Sequence, residues 1–107
     1  MAQVIWLDPV LDDLIAIADF IALNNQQAAY DLVQRVFRHV EQLAEHPESG
    51  SRPQEVRGMR YRQIIEPPCR VFYRYDGVRV LVLFVIRSEM RLRQAQFLKR
   101  DQTNPGE

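Results

Sequence analysis

The sequence predicts an α+β fold in the order β-α-α-β-β-β-α. An N-terminal strand and an antiparallel helical hairpin pack on a small antiparallel β-sheet, and a short helix follows. Three observations predict this fold: helical spacing of apolar residues over 8–45, alternation from Met59 onward, and an Asp76-Gly77 pair between two apolar runs. The 107 residues are expected to form one domain over 1–101, with a disordered tail over 102–107.

The first strand and helix are predicted from the segment that begins at Gln3. QVIWL (Gln3–Leu7) is short and rich in β-prone residues, which is typical of a strand. Asp8 precedes Pro9, as a helix N-cap precedes a proline in the first turn. Apolar residues then recur at helical spacing as far as Leu23. The segment NNQQ ends this helix, and Asn24 or Asn25 is expected to cap the next one.

The second helix has the clearest pattern in the chain. Its apolar stripe consists of Ala29, Leu32, Val33, Val36, Val40, Leu43 and Ala44. Charged and polar residues occupy the other face, and Pro47 ends the helix. Because the connection between the two helices is short, they are predicted to form an antiparallel hairpin.

The remaining strands are predicted from alternation and from turn signals. MRYRQII (59–65) alternates, and Pro67-Pro68 ends that strand. A two-residue turn at Asp76-Gly77 would place Tyr75 opposite Val78 and Arg74 opposite Arg79. The face expected to pack on the helices then carries Val71, Tyr73, Tyr75, Val78, Val80, Val82, Phe84 and Ile86.

The opposite face of this hairpin is predicted to be a docking surface. Its apolar floor consists of Phe72, Leu81, Leu83 and Val85. An arginine fringe borders it, made of Arg70, Arg74, Arg79 and Arg87. Like charges placed directly opposite each other destabilise a sheet, so an exposed fringe or an acidic ligand is expected here. The last helix is predicted over Arg87–Asp101, with Ser88 as its N-cap.

The charged residues are unevenly distributed between the two halves of the sequence. Residues 1–50 carry two arginines against eight acids, a net charge of −6. Residues 51–107 carry eleven arginines and one lysine against six acids, a net charge of +6. The acidic and basic halves either form two sides of the molecule or pair with each other.

No run of apolar residues is long enough to span a membrane, and no signal peptide is predicted, so a soluble cytoplasmic protein is expected. Cys69 is the single cysteine and is interpreted as a buried apolar residue. Neither a metal nor a cofactor is expected.

Together these segments resemble the ParE/RelE superfamily of bacterial type II toxins. The resemblance covers roughly Val4 to Leu98 and rests on the order and spacing of several motifs. They are Ala28-Ala29 opening the second helix, Leu43 and Pro47 closing it, Gly58-x-Arg60-Tyr61, RVFYRYDG, and Met90 with Leu92 after the last strand.

The resemblance implies one of two activities, and the sequence favours the ParE branch. RelE-like members cut mRNA on the ribosome and commonly carry a His or Tyr at or just beyond the last strand. Residues 77–107 contain neither, and His39 and His46 are interpreted as exposed helical residues. ParE-like members trap the DNA-cleavage complex of DNA gyrase without catalysis. This protein is expected to act in the same way and to have no catalytic residue.

The resemblance also implies a target and a cognate antitoxin. The residues expected to contact gyrase are Arg87, Met90, Arg91 and Arg93, with Arg57 and Arg60 as second choices. An acidic antitoxin tail, from a ParD-like protein with a DNA-binding N-terminal part, is expected on the apolar floor and arginine fringe, extended by Leu14, Ala18 and Phe20. Operator DNA would be bound only through the antitoxin.

Two alternatives stay open at this point. A ribosome-dependent endoribonuclease would gather Arg60, Arg62, Arg70 and Tyr61 around a phosphate. The second alternative is a detoxified member of the family, which has lost its toxicity and acts with its antitoxin as a DNA-binding corepressor. Arg91 departs from the ParE pattern, which often has an acid there, so the role of this segment in target binding is open.

Overall fold

The order of elements agrees with the prediction. The computed structural model describes residues 1–102. Its elements are β1 (Gln3–Trp6), α1 (Asp8–Ala22), α2 (Gln26–Glu41), β2 (Tyr61–Glu66), β3 (Cys69–Tyr75), β4 (Arg79–Arg87) and α3 (Gln94–Gln102), with 3-10 turns at Gln42–Ala44 and Gln54–Val56. Gln102 closes α3 rather than opening the predicted tail, and residues 103–107 lie outside the described residues.

The two helices follow the apolar periodicity of the sequence. Asn25 caps α2 as predicted, because its Oδ1 accepts a hydrogen bond from the Ala28 amide at 3.0 Å. Asp8 does not cap α1 with its side chain; it is the first residue of the helix, after an extended Leu7. None of the helices among residues 1–102 is long and apolar enough to cross a membrane.

The sheet is mixed rather than wholly antiparallel. Its strand order is β1-β4-β3-β2, and β1 runs parallel to β4 while the other pairs are antiparallel. The chain between β1 and β4 includes the whole helical hairpin, which is the long kind of connection that parallel neighbours require. β1 covers only the first part of β4, from Arg79 to Val82.

The turn between β3 and β4 is longer than predicted. Tyr75 lies opposite Val80 and Arg74 opposite Leu81, so Arg74 and Arg79 do not face each other. The carboxylate of Asp76 accepts hydrogen bonds from the amides of Val78 and Arg79 at 2.9 and 2.7 Å. These amide hydrogen bonds lower the pKa of Asp76 to about 2. The Asp76 side chain thus stabilises a wider loop than a two-residue turn.

A β-bulge in β4 changes which residues share a face. Tyr73 lies opposite Val82 and Phe72 opposite Phe84, which leaves Leu83 without a partner in this ladder. Beyond the bulge, Val85 shares the face of Val71, and Phe84 shares that of Phe72. The predicted faces are therefore correct up to the bulge and exchanged after it, for Phe84, Val85 and Ile86.

The predicted start of the last helix at Ser88 is wrong. Residues 88–93 contain no helix, and α3 begins at Gln94. Arg70 donates to the Met90 carbonyl at 3.1 Å, and the Leu92 amide donates to Glu55 at 3.4 Å. These tertiary hydrogen bonds use backbone groups that a helix would have paired internally.

The apolar floor is buried rather than exposed. Phe97 of α3 is fully buried, and its ring centroid lies 5.1 Å from that of Phe72, 5.2 Å from Tyr61 and 5.7 Å from Phe84. Phe72, Leu81, Leu83 and Val85 are all buried as well. The molecule consequently has three layers: the helical hairpin, the sheet, and α3 on the face that the sequence predicted to be open.

Candidate functional site

Arg70 belongs to a buried ion pair. Its guanidinium donates to both carboxylate oxygens of Glu55, at 2.7 and 3.0 Å, and both side chains are 7% exposed. Burial raises the pKa of Glu55, but the hydrogen bonds and charge of Arg70 outweigh it, and the pKa lies below its usual value. The same pair binds the backbone of Met90 and Leu92, so it joins the 3-10 turn at Gln54–Val56 to the segment after β4.

Arg74 belongs to a second buried cluster, around Asp101 of α3. Arg74 donates to the two Asp101 oxygens at 2.6 and 2.9 Å, the Tyr61 hydroxyl donates at 2.9 Å, and Arg60 donates at 3.2 Å. Burial raises the pKa of Asp101, but these donors outweigh it and the pKa is lowered. Burial and the neighbouring carboxylate raise the pKa of Tyr61. The cluster holds the end of α3 against the sheet.

The arginine fringe is therefore not an exposed row of cations. Arg70 and Arg74 are 5% and 4% exposed and have the carboxylate partners described above. Arg79 donates to Asp76 at 3.2 Å, and Arg87 donates to Glu89 at 3.1 Å. The expectation of opposed like charges is wrong because the register places Arg74 opposite Leu81, and the expectation of an exposed fringe is wrong because each guanidinium has an acid of its own beside it.

Five exposed arginines lie on two neighbouring segments, residues 52–60 before β2 and residues 90–94 after β4. We call these arginines the basic patch: Arg52, Arg57, Arg60, Arg91 and Arg93. The segments touch where the Gln94 side-chain amide contacts the Met59 sulfur at 2.9 Å and where Arg91 approaches Glu55 at 3.9 Å. Arg52 joins them because its guanidinium donates to the Met59 carbonyl at 3.2 Å. Half-exposed Met90 lies on the second segment.

The basic patch gathers most of the target-binding residues that the sequence predicts. Arg57, Arg60, Arg91 and Arg93 belong to it, whereas Arg52 was missed because loop composition does not show which backbone its side chain would reach. Arg87 lies elsewhere, with its guanidinium 5.7 Å from the Phe20 ring.

A shallow apolar groove, the α1 groove, lies beside Arg87. It is lined by Ala16, Ile17, Phe20 and Arg87 and has a volume of about 430 Å³. Phe20 is 62% exposed, which is unusual for a phenylalanine. Of the three α1 residues predicted to contact an antitoxin, Phe20 is exposed, Ala18 is half-buried and Leu14 is buried in the core.

The residues of the endoribonuclease alternative do not converge on one point. Arg62 lies opposite Tyr73, on the face that packs against the helical hairpin, whereas Tyr61 lies opposite Arg74 on the α3 face. Arg62 donates to the carbonyl of Gly50 at 2.9 Å. Arg70 is buried against Glu55. Of these residues, Arg60 and Tyr61 share a partner, and that partner is Asp101.

His39 has a partner that the sequence did not reveal. Its Nδ1 lies 3.1 Å from Glu66 at the end of β2, and Arg35 approaches the same carboxylate at 3.3 Å. His39 is half-buried, so its interpretation as an exposed helical residue is wrong. His46 is exposed, as expected. The contact pairs α2 with the sheet on the side of the molecule that carries Arg38 and Gln42.

Comparison with known proteins agrees with the resemblance seen in the sequence. A family profile described as "ParE toxin of type II toxin-antitoxin system, parDE" matches residues 4–92. A solved structure described as the chromosomal ParDE TA system from P. aeruginosa matches with a TM-score of 0.69 and 28% identity, over 83% of this chain and 98% of that one. No curated protein sequence matches the chain.

The profile covers most of the chain, and the structural match shares its fold at 28% identity. β1, both long helices and the three following strands lie within residues 4–92 apart from the first residue of β1, and α3 lies beyond them. The chain is a type II toxin of a toxin–antitoxin pair and belongs to the ParE family.

Proposed function

We propose that this toxin inhibits DNA gyrase in the cytoplasm by trapping the enzyme's DNA-cleavage complex, without catalysis of its own. The observation that carries the proposal is the basic patch of five exposed arginines. Two of them, Arg60 and Arg91, approach buried carboxylates that Arg74 and Arg70 already neutralise. Such a surface suits binding to an acidic macromolecular complex. Membership of the ParE family supports the same target.

Two tyrosines that could transfer protons in a nuclease reaction, Tyr61 and Tyr73, are committed to structural contacts. The hydroxyl of Tyr61 donates to Asp101, and that of Tyr73 donates to the Pro47 carbonyl at 2.8 Å. Both tyrosines are buried, and burial is the main cause that raises the pKa of each. A raised tyrosine pKa makes a poorer general base near neutral pH.

The endoribonuclease alternative keeps one supporting observation. Arg60, Tyr61 and Arg74 converge on the Asp101 carboxylate, and the same donors could bind a phosphate if α3 moved away.

The corepressor alternative predicts that overexpression without antitoxin is harmless. The proposed function predicts gyrase inhibition by the purified chain.

Charge reversal in the basic patch is expected to reduce gyrase inhibition. The variant carrying Arg91→Glu and Arg93→Glu should need at least about tenfold more protein to inhibit supercoiling, because two exposed cations become anions. Arg38→Glu is a matched control, since Arg38 is an exposed α2 cation in a different region. An unchanged inhibitory concentration for the double variant would contradict the assignment of this surface.

The antitoxin is proposed to begin its contact at the α1 groove. An acidic, amphipathic tail can place apolar residues on Phe20 and carboxylates on Arg87, whose other partner Glu89 is exposed. The tail is expected to belong to a ParD-like protein whose N-terminal part binds operator DNA.

Phe72 and Leu81 of the apolar floor lie on the α3 face of the sheet, whereas Val85 lies on the opposite face with Val71, so its prediction as an antitoxin contact on this floor is wrong. The α3 face of the floor is accessible to the antitoxin only if α3 leaves. α3 has an apolar anchor, Phe97, and an acidic anchor, Asp101, one helical turn apart. An antitoxin helix with the same pair of anchors could replace it on Phe72 and Arg74. We therefore keep the α3 face of the floor as an antitoxin site, reached by exchange with α3.

Phe20→Asp is expected to weaken antitoxin binding at least about tenfold, because a charge replaces the largest apolar side chain of the groove. Tyr30→Asp, an equally exposed aromatic residue on α2, should leave the affinity unchanged. Titration calorimetry with the cognate antitoxin measures both. Equal losses for the two variants, or none for Phe20→Asp, would contradict the groove as the antitoxin site.

A further inference from the structure

Exposed acids outnumber exposed cations on the helical hairpin, whose exposed arginines are Arg35 and Arg38. Exposed acids lie on the helical hairpin, at Asp8, Asp12, Asp19, Asp31 and Glu41. Exposed arginines lie on the loop before β2 and on the segment after β4. The ion pairs Arg35–Glu66, Arg62–Glu48 and Arg100–Asp13 join the two halves, but within residues 1–102 the exposed acids named above make no ion pair with the arginines of the basic patch.

The acids nearest to the basic patch are already neutralised from inside the molecule. Glu55 receives two hydrogen bonds from buried Arg70, so Arg91, at 3.9 Å and 69% exposed, is not needed to balance it. Asp101 is held by buried Arg74 through both oxygens, so Arg60 keeps an exposed guanidinium. Each buried arginine thus leaves an exposed one available to a partner.

Three members of the patch make no ion pair with any residue among 1–102, and these are Arg52, Arg57 and Arg93. Arg52 is held by neutral backbone carbonyls of Met59 and Tyr61, which orient a guanidinium without reducing its charge. Gln54 and Gln94, which are exposed and carry neutral side-chain amides, lie beside these arginines in the sequence. The patch therefore offers guanidinium groups that match the repeated charges of a phosphate backbone.

We infer that the basic patch binds the sugar-phosphate backbone of duplex DNA. The inference rests on the proposed function and names the DNA, rather than the gyrase protein, as the partner of this surface. Binding is independent of base sequence, because guanidinium contacts to phosphates carry no sequence information.

The test uses the full-length toxin, without antitoxin, and a fluorescently labelled DNA duplex of about 20 base pairs in an anisotropy titration. Wild-type binding should weaken as salt rises from about 50 to about 200 mM. The variant carrying Arg57→Glu and Arg93→Glu should bind at least about tenfold more weakly. Its slope of log affinity against log salt should fall by about 2, close to 0.9 for each lost phosphate contact.

Arg38→Glu makes the same kind of charge change on α2, outside the patch, and should bind as wild type does. The inference is overturned if wild type shows no binding at low salt, if Arg38→Glu loses as much affinity as the patch variant, or if single-stranded RNA binds more tightly than the duplex. Circular dichroism and thermal melting verify that each variant is folded.

The same proteins distinguish this inference from the proposed function. A toxin that inhibits supercoiling but fails to bind the duplex would overturn the DNA contact and leave gyrase as the target. A toxin that binds the duplex through the patch but leaves supercoiling unchanged would support the DNA contact and contradict the proposed function.

Discussion

Replacing Arg70 by methionine is expected to lower the free energy of unfolding by about 3–5 kcal/mol. The substitution keeps most of the side-chain volume but leaves the Glu55 carboxylate buried without its cation. The same change removes hydrogen bonds to the Met90 carbonyl and the Gln63 side chain. Urea denaturation of wild type and variant measures the difference.

A double-mutant cycle separates the unpaired charge from the loss of packing. Combining Arg70→Met with Glu55→Leu should recover most of the lost stability, since a buried ion pair replaced by apolar groups is often neutral. Arg57→Met, at an exposed cation close by, should change stability by less than about 0.5 kcal/mol. If the double variant were as unstable as Arg70→Met, the buried charge would not be the cause.

The two buried carboxylates, Glu55 and Asp101, also determine how the free energy of unfolding changes with pH. The folded pKa values of Glu55 and Asp101 lie below their ordinary values of 4.5 and 3.8. The stability that these ion pairs contribute is therefore present above those ordinary values and is lost as pH falls through the lower folded pKa values.

Replacing Phe97 by alanine is expected to lower the free energy of unfolding by about 3–5 kcal/mol. Phe97 is fully buried between Phe72, Tyr61 and Phe84, so the substitution removes these ring contacts and leaves a cavity in the core. Leu98→Ala, at a partly exposed position on the same helix, should cost less than about 1 kcal/mol. Comparable losses for the two variants would contradict the packing of α3 on the sheet.

The same variant reports on the proposed exchange of α3 for the antitoxin. If the antitoxin replaces α3 on the apolar floor, a loosened helix lowers the cost of replacement. Antitoxin affinity for Phe97→Ala should then equal or exceed that of wild type, although the free toxin is less stable. A lower affinity in a folded variant would show that α3 is part of the antitoxin site itself.

The two long helices could be predicted from the sequence because their signals are local, whereas the start of α3 could not. The stripe of α2 and its Asn25 cap lie within one helix, and both agree with the structure. The hairpin register could not be predicted, because it depends on Asp76 accepting two amide hydrogen bonds and on a bulge at Leu83. Neither feature can be recognised from the alternation of apolar residues in the sequence.

The burial of Arg70 and Arg74 could not be predicted for a different reason. Their partners are 15 and 27 residues away, Glu55 in a loop and Asp101 near the end of the described chain. Without those contacts, arginines on an apolar sheet face are most simply interpreted as exposed. Four of the five arginines of the basic patch, in contrast, are among the residues predicted to contact the target, and all four are exposed; their role in target binding stays a prediction.

The most direct test of the account mixes purified toxin with gyrase, ATP and supercoiled plasmid, then adds detergent and protease to release trapped DNA breaks. A parallel reaction follows the 3′ ends of mRNA in a translating extract by primer extension. The account predicts linear plasmid that increases with toxin concentration and no new mRNA ends. New ends in the transcripts, with gyrase working normally, would contradict it.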